Sequence, residues 1–235
     1  MDLTIHQKRT IQSLELLQKF IISDSTLDRD TRFLFRELGR IDRLAMSRPN
    51  NTMNKSKLNS FVELAKRRTV ATQCILLTTS NWIQNVAIRY SRLLAECNRH
   101  EPDYWRKRLR RLGPIFKGMY WAESIHVGAN YVRHFSEWDF QRIDFDSNSG
   151  KIKPLKNIIK TLRKPDARRT AQFLIDLKIP QSEIFSTNGY ATNRLLVSID
   201  SNKAYDLKKY GDLWEKDVTL FAEREVVSAL SRQRS

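Results

Sequence analysis

The residues best suited to chemistry lie between Tyr120 and Asp139, in the segment YWAESIHVGANYVRHFSEWD. Set on a helix, Glu123, His126, Asn130, Arg133, His134 and Glu137 follow one another at steps of three, four, three, one and three. Residues three or four apart share a helix face, so these polar groups make one continuous stripe. Histidine moves a proton near neutral pH. Arginine holds a phosphate and offsets charge that develops on it during reaction. A stripe of His, Asn, Arg and Glu therefore has what acid–base work on a phosphodiester needs. Two of the four histidines of the chain are here, and Trp121, Tyr131 and Trp138 crowd the same stretch. The plainer alternative is a solvated face laced by its own i,i+4 pairs. Ile125, Ala129, Val132 and Phe135 form a second, apolar face that can pack into a bundle.

Within that stretch, GANYVRHFSEW resembles the signature helix of the HEPN superfamily, whose members are small helical bundles common in defence and toxin–antitoxin systems. The family motif is Arg, a polar residue that is often Asn, three variable residues, then His. Asn130 and His134 match the polar and histidine positions, while Ala129 stands where the arginine belongs. Arg133 lies about a turn further along and cannot simply replace it. Ser136 holds the position of a tyrosine that is modified in some members. The resemblance covers Gly128–Trp138 and, loosely, a long helix at Ser56–Cys97. It implies a metal-independent endoribonuclease in which His134 is the general acid/base at a homodimer interface, the 2′-hydroxyl of the RNA being the nucleophile. Asn130, Arg133, His126 and Glu137 are the supporting candidates. The alanine at the arginine position equally implies a member that binds without cutting.

The elements that would position these residues read as helices almost throughout. Glycine (7) and proline (6) are scarce in 235 residues, 40% of which are hydrophobic and 10% aromatic. Sandwiches and barrels need many turns built from Gly and Pro, so an all-α bundle is expected. Helical spacing of apolar residues predicts helices over Ile5–Ile22, Asp28–Met46, Ser56–Cys97 with a break near Thr78–Asn81, a short one opening at Glu101-Pro102-Asp103, Ile115–Phe140, Pro154–Arg163, Ala167–Leu177, Gln181–Val197 and Ala204–Leu230. Phe33, Leu34, Leu38, Ile41 and Leu44 are expected on one buried side. The first part of the longest helix, with Val62 and Val70, is expected to be apolar nearly all round. The polar stretch Asp144–Gly150 suggests a bundle body over 1–145 and a basic helical C-terminal part, 146–235, packed on it.

Charge supplies a second signal. There are 42 Lys+Arg against 26 Asp+Glu, a formal charge of +16, and the isoelectric point is about 10.1. Such an excess costs self-repulsion that a polyanion relieves through counterion release, so RNA or DNA is the expected partner. Two segments concentrate it. One is Arg106, Lys107, Arg108, Arg110 and Arg111, and the other runs from Lys151 to Arg169 with Lys153, Lys156, Lys160, Arg163, Lys164, Arg168 and Arg169. Tyr104 and Trp105, and Tyr205 and Tyr210, stand beside cations as candidate base-stacking residues; the competing and plainer reading of each is core or surface packing.

Other classes fit poorly. Cys74 and Cys97 make neither a disulfide framework nor a zinc site. Glu123-x-x-His126 is one half of a di-iron pattern that needs a second copy. HExxH, GxGxxG, GxxxxGK[ST] and the serine elbow do not occur, so no cofactor and no P-loop are expected. No apolar run approaches the ~20 residues that span a bilayer, and the first residues do not read as a signal peptide, so a cytoplasmic protein without membrane contact is expected. Three roles stay open: a nucleic-acid-binding protein that is or resembles a ribonuclease, a non-catalytic subunit of a nucleoprotein complex, and an antitoxin whose charge complements a toxin.

Overall fold

The computed structural model describes residues 5, 8–9, 11–16, 26–46, 55–98, 100–116, 118–133, 165–178 and 204–232. These are helical apart from short connections and one two-stranded hairpin, so the chain is all-α. The helices are α1 (Thr26–Met46), α2 (Lys55–Cys97), α3 (Pro102–Leu109), α4 (Trp121–Arg133), α5 (Pro165–Asp176) and α6 (Ala204–Arg232), with strands β1 (Ile115–Phe116) and β2 (Met119–Tyr120) between α3 and α4. The expected helices over 154–163 and 181–197 and the loop at 144–150 lie outside the described residues.

The chain forms two compact units, each assembled from separated stretches. The first comprises Met1–Asp30, Thr78–Ser124 and Lys203–Ser235; the second comprises Thr31–Leu77 and Ile125–Asn202. The grouping follows packing rather than chain order, and α1, α2 and α4 each run from one unit into the other.

The first unit is organised around tryptophan. Trp105, Trp121 and Trp214 are fully buried, as are Tyr90 and Leu109. On α6 the buried positions Leu207, Trp214, Val218, Ala222 and Val226 recur at helical steps, which is the spacing that gives one helix a single apolar side. Trp214 meets Trp82 edge-on with ring centroids 5.5 Å apart, and its indole N–H donates to the Leu109 carbonyl at 3.0 Å. That bond caps the end of α3 and satisfies the polar end of a buried indole. Tyr90 and Thr219 join α2 to α6 through a 2.8 Å hydroxyl–hydroxyl bond.

In the second unit Ile41, Leu64, Ala71, Ile75, Leu76, Ile125, Val127, Ala129, Tyr131, Phe173 and Leu174 are buried. The Arg68 guanidinium reaches Asp42 at 2.8 Å and ties α2 to α1.

Four expectations change. The helix expected from Ile115 begins only at Trp121, because Ile115–Phe116 and Met119–Tyr120 pair as two short antiparallel strands. Ile115 pairs with Tyr120 and Phe116 with Met119. Gly113 and Gly118 have φ of +78° and +81°, backbone that L side chains rarely adopt and that ends helical continuity. The break near Thr78–Asn81 is absent and α2 is continuous. Hydroxyl residues along it return their bonds to the helix itself, as Thr69 does to the Ala65 carbonyl at 3.1 Å and Thr72 to the Arg68 carbonyl at 2.9 Å. The apolar cover of the start of α2 is incomplete, since Val62 and Val70 are exposed. Phe33 and Leu44 are also exposed while Ile41 is buried. The buried side of α1 is narrower than its apolar residues suggested.

Candidate nucleic-acid interface

Helix α3 is built to carry positive charge at a defined place. Glu101 precedes it in extended backbone, Pro102 occupies the first turn, and Asp103 sits at the positive end of the helix dipole. Arg106, Lys107 and Arg108 fall in the last turn, where cations offset the negative end. The buried residues Trp105 and Leu109 hold the helix down. They are four positions apart and share one side, so the cations are forced onto the remaining sides.

Between α3 and α2 runs a groove of about 220 Å³ lined by Gln84, Ala87, Ile88, Asp103, Arg106, Lys107 and Arg110. Its α2 wall is neutral and partly apolar, and its α3 wall carries three cations and one carboxylate. One turn beyond Ile88 on the same row of α2 stands exposed Arg92. The groove lies wholly within the first unit.

The expected cation cluster divides in two. Arg106 pairs with Asp103 on its own helix. Arg108 reaches Glu225 at 3.8 Å and lies 4.9 Å from the Phe221 ring centroid and 5.8 Å from that of Trp105. Arg111 faces Glu123 at 3.8 Å. Arg108 and Arg111 are thereby drawn toward α6 and α4, whereas Arg106, Lys107 and Arg110 line the groove. Both 3.8 Å pairs involve substantially exposed arginines. Solvent-exposed pairs of this kind contribute roughly 0–1 kcal/mol, so an incoming phosphate can compete for these guanidiniums.

At the start of α3, His100 and Tyr104 stack with ring centroids 4.1 Å apart, and both are exposed. The Tyr104 hydroxyl accepts from Arg108 at 3.3 Å. Of the two readings of Trp105, stacking surface or core, the structure shows core: it is 2% exposed. The signal for His100 was its place four residues before Tyr104, which sets two rings on one side once the turn closes. Of the other pair, Tyr210 is half-buried on α6, and the Tyr205 side chain lies outside what is described.

The polar stripe on α4 is divided between the two units. Glu123 belongs to the first, where it faces Arg111. His126, Asn130 and Arg133 belong to the second and form a row. Asn130 Nδ2 and His126 Nε2 are 3.3 Å apart, and Arg133 Nη1 donates to Asn130 Oδ1 at 3.4 Å. Both distances are at the long end for hydrogen bonds. Ala129, at the arginine position of the resembled motif, is fully buried. His134 and Glu137 lie outside the described residues, as do Lys153, Lys156, Lys160, Arg163 and Lys164. Arg168 and Arg169 are exposed on α5, in the second unit, and each has interaction partners of its own.

Among the described residues no cluster of three or more His, Cys, Asp or Glu could hold a metal ion, and no helix is long and apolar enough to cross a membrane. No family model, curated protein or solved structure matches the chain.

Proposed function

We propose that this chain is a nucleic-acid-binding protein that grips phosphates along the α2–α3 groove. The observation that carries this reading is the convergence of Arg106, Lys107 and Arg110 on one groove, within a chain of formal charge +16. Cations gathered on one wall release counterions together when a polyanion enters. The exposed His100–Tyr104 stack beside them offers a flat aromatic surface to an unpaired base, which favours a single strand over a duplex. The neutral α2 wall lets the sugar edge lie close without repulsion.

The test is fluorescence anisotropy with a labelled single-stranded RNA and the matching DNA across a salt series. Lys107→Glu with Arg110→Glu should weaken binding by at least about tenfold and lower the salt slope by about two. Unchanged affinity and slope in that double variant would remove the groove from the interface.

A second reading is supported by the His126–Asn130–Arg133 row: a ribonuclease of the HEPN type, with His134 as acid/base. It is separated from binding alone by incubating the protein with RNA in EDTA. Cleavage lost in His134→Ala supports it, and intact RNA beside tight binding rejects it.

A further inference from the structure

We propose that α6 carries an isologous contact surface through which two copies of the chain pair antiparallel, across a two-fold axis at Leu220. The inference is independent of the nucleic-acid reading and rests on the outer side of that helix.

The inner side of α6 is fully used by the tryptophan core. The outer side nevertheless bears Leu213, Leu220 and Val227, exposed by 41%, 39% and 62%. They recur at steps of seven, so they form one ridge about 21 Å long on a helix rising ~1.5 Å per residue. Apolar side chains standing at a constant heptad step on an otherwise charged side are what a helix presents to another helix.

Flanking charge identifies the partner. Asp217 and Arg224 each follow a ridge residue by four positions, so they lie along the same edge of the ridge. Lys216 and Glu223 each follow one by three and lie along the other edge. A two-fold axis through Leu220, in the contact plane and perpendicular to the helix, reverses direction but keeps each edge opposite itself. Leu213 then meets Val227 of the second copy. Asp217 meets the second copy's Arg224 on one edge, and Lys216 meets its Glu223 on the other. Every pair is of opposite sign and each occurs twice. A parallel pair in register exchanges the two edges and sets Asp217 against the second copy's Lys216 and Glu223 against its Arg224, also of opposite sign. The pattern is therefore complementary to itself, as an isologous interface requires, and recovery by mixed Asp217→Arg and Arg224→Asp variants is what singles out the antiparallel sense. One helix pair buries less than the roughly 1,200 Å² of a standard interface, so the dimer is weak and concentration-dependent.

Sedimentation velocity of the full chain over a wide concentration range tests this, with Asp217→Arg and Arg224→Asp as variants. Both positions are exposed, so the substitutions leave the core untouched, and far-UV circular dichroism checks the helix content. The parent should self-associate. Each single variant places like charges face to face twice and should dissociate at least about tenfold more readily. Mixing the two variants restores opposite signs at both places and should recover the parent's association as a heterodimer. A parent that stays monomeric throughout, or association indifferent to either variant, overturns the proposal, as does failure of the mixture to recover pairing.

Discussion

The cations of α3 and the polar row of α4 draw on similar residue types and are held in different ways. On α3, Trp105 and Leu109 are buried within the first unit, the Leu109 carbonyl takes the Trp214 indole N–H, and the charged groups are left on the surface around a groove. On α4, His126, Asn130 and Arg133 stand along one edge of the helix, linked by contacts of 3.3 and 3.4 Å. The first arrangement presents positive charge at the surface. The second is a chain of local contacts whose chemistry depends on what else faces it. Residue type alone therefore does not rank the two; the tertiary support beneath each does.

The largest effect that would break this contrast is removal of the α3 support. Trp214→Ala should cost about 3–5 kcal/mol of stability, because a fully buried indole leaves a cavity and the Leu109 carbonyl loses its donor. Chemical denaturation followed by circular dichroism measures it, and a loss below about 1 kcal/mol would show that α3 does not rely on this anchor.

The contrast sharpens through salt dependence. Replacing Asn130 and Arg133 together by alanine should leave the salt slope of nucleic-acid binding within about one of the parent, whereas the Lys107/Arg110 double variant lowers it by about two. Equal losses from both would merge the two regions into one interface.

A smaller effect comes from Glu215, on α6 beneath the same core. Its Oε1 is buried without a hydrogen-bond partner. Burial, reinforced by Asp212, pushes its pKa up from 4.5 to about 7. The folded protein thus holds this proton more tightly than the unfolded chain. The stabilisation that follows is complete below about pH 4.5 and is lost as pH rises through about 7. Glu215→Gln should raise the thermal midpoint above the parent's near pH ~8 and match it near pH ~4. A gap of the same size at both pH values would contradict this account.

The smallest effect is expected at Asn130. Its two long, partly exposed bonds should make Asn130→Ala cost no more than about 1 kcal/mol, read as a shift in the denaturation midpoint.

Helical class was legible from the scarcity of Gly and Pro and from apolar spacing, because both are local properties of a segment. The start of α3 was legible for the same reason: Pro102 and Asp103 act on the turn they occupy. The hairpin at 115–120 was not, although Gly113 and Gly118 stand at its turns, since a helical pattern of apolar residues continues through it. The depth of Trp105 was legible only as one of two readings. A tryptophan beside arginines can be core or a stacking surface, and the part of the chain that covers it decides which.

By itself the sequence determined that this chain is helical, strongly basic and locally rich in cations at 106–111, because composition and three-to-four spacing are sufficient for those properties. Which of those cations share a groove, which turn toward Glu225 or Glu123, and which rings are core were decided only by tertiary structure. The reason is that each outcome depends on residues from α2, α4 or α6, brought alongside α3 by packing across up to a hundred or so intervening positions.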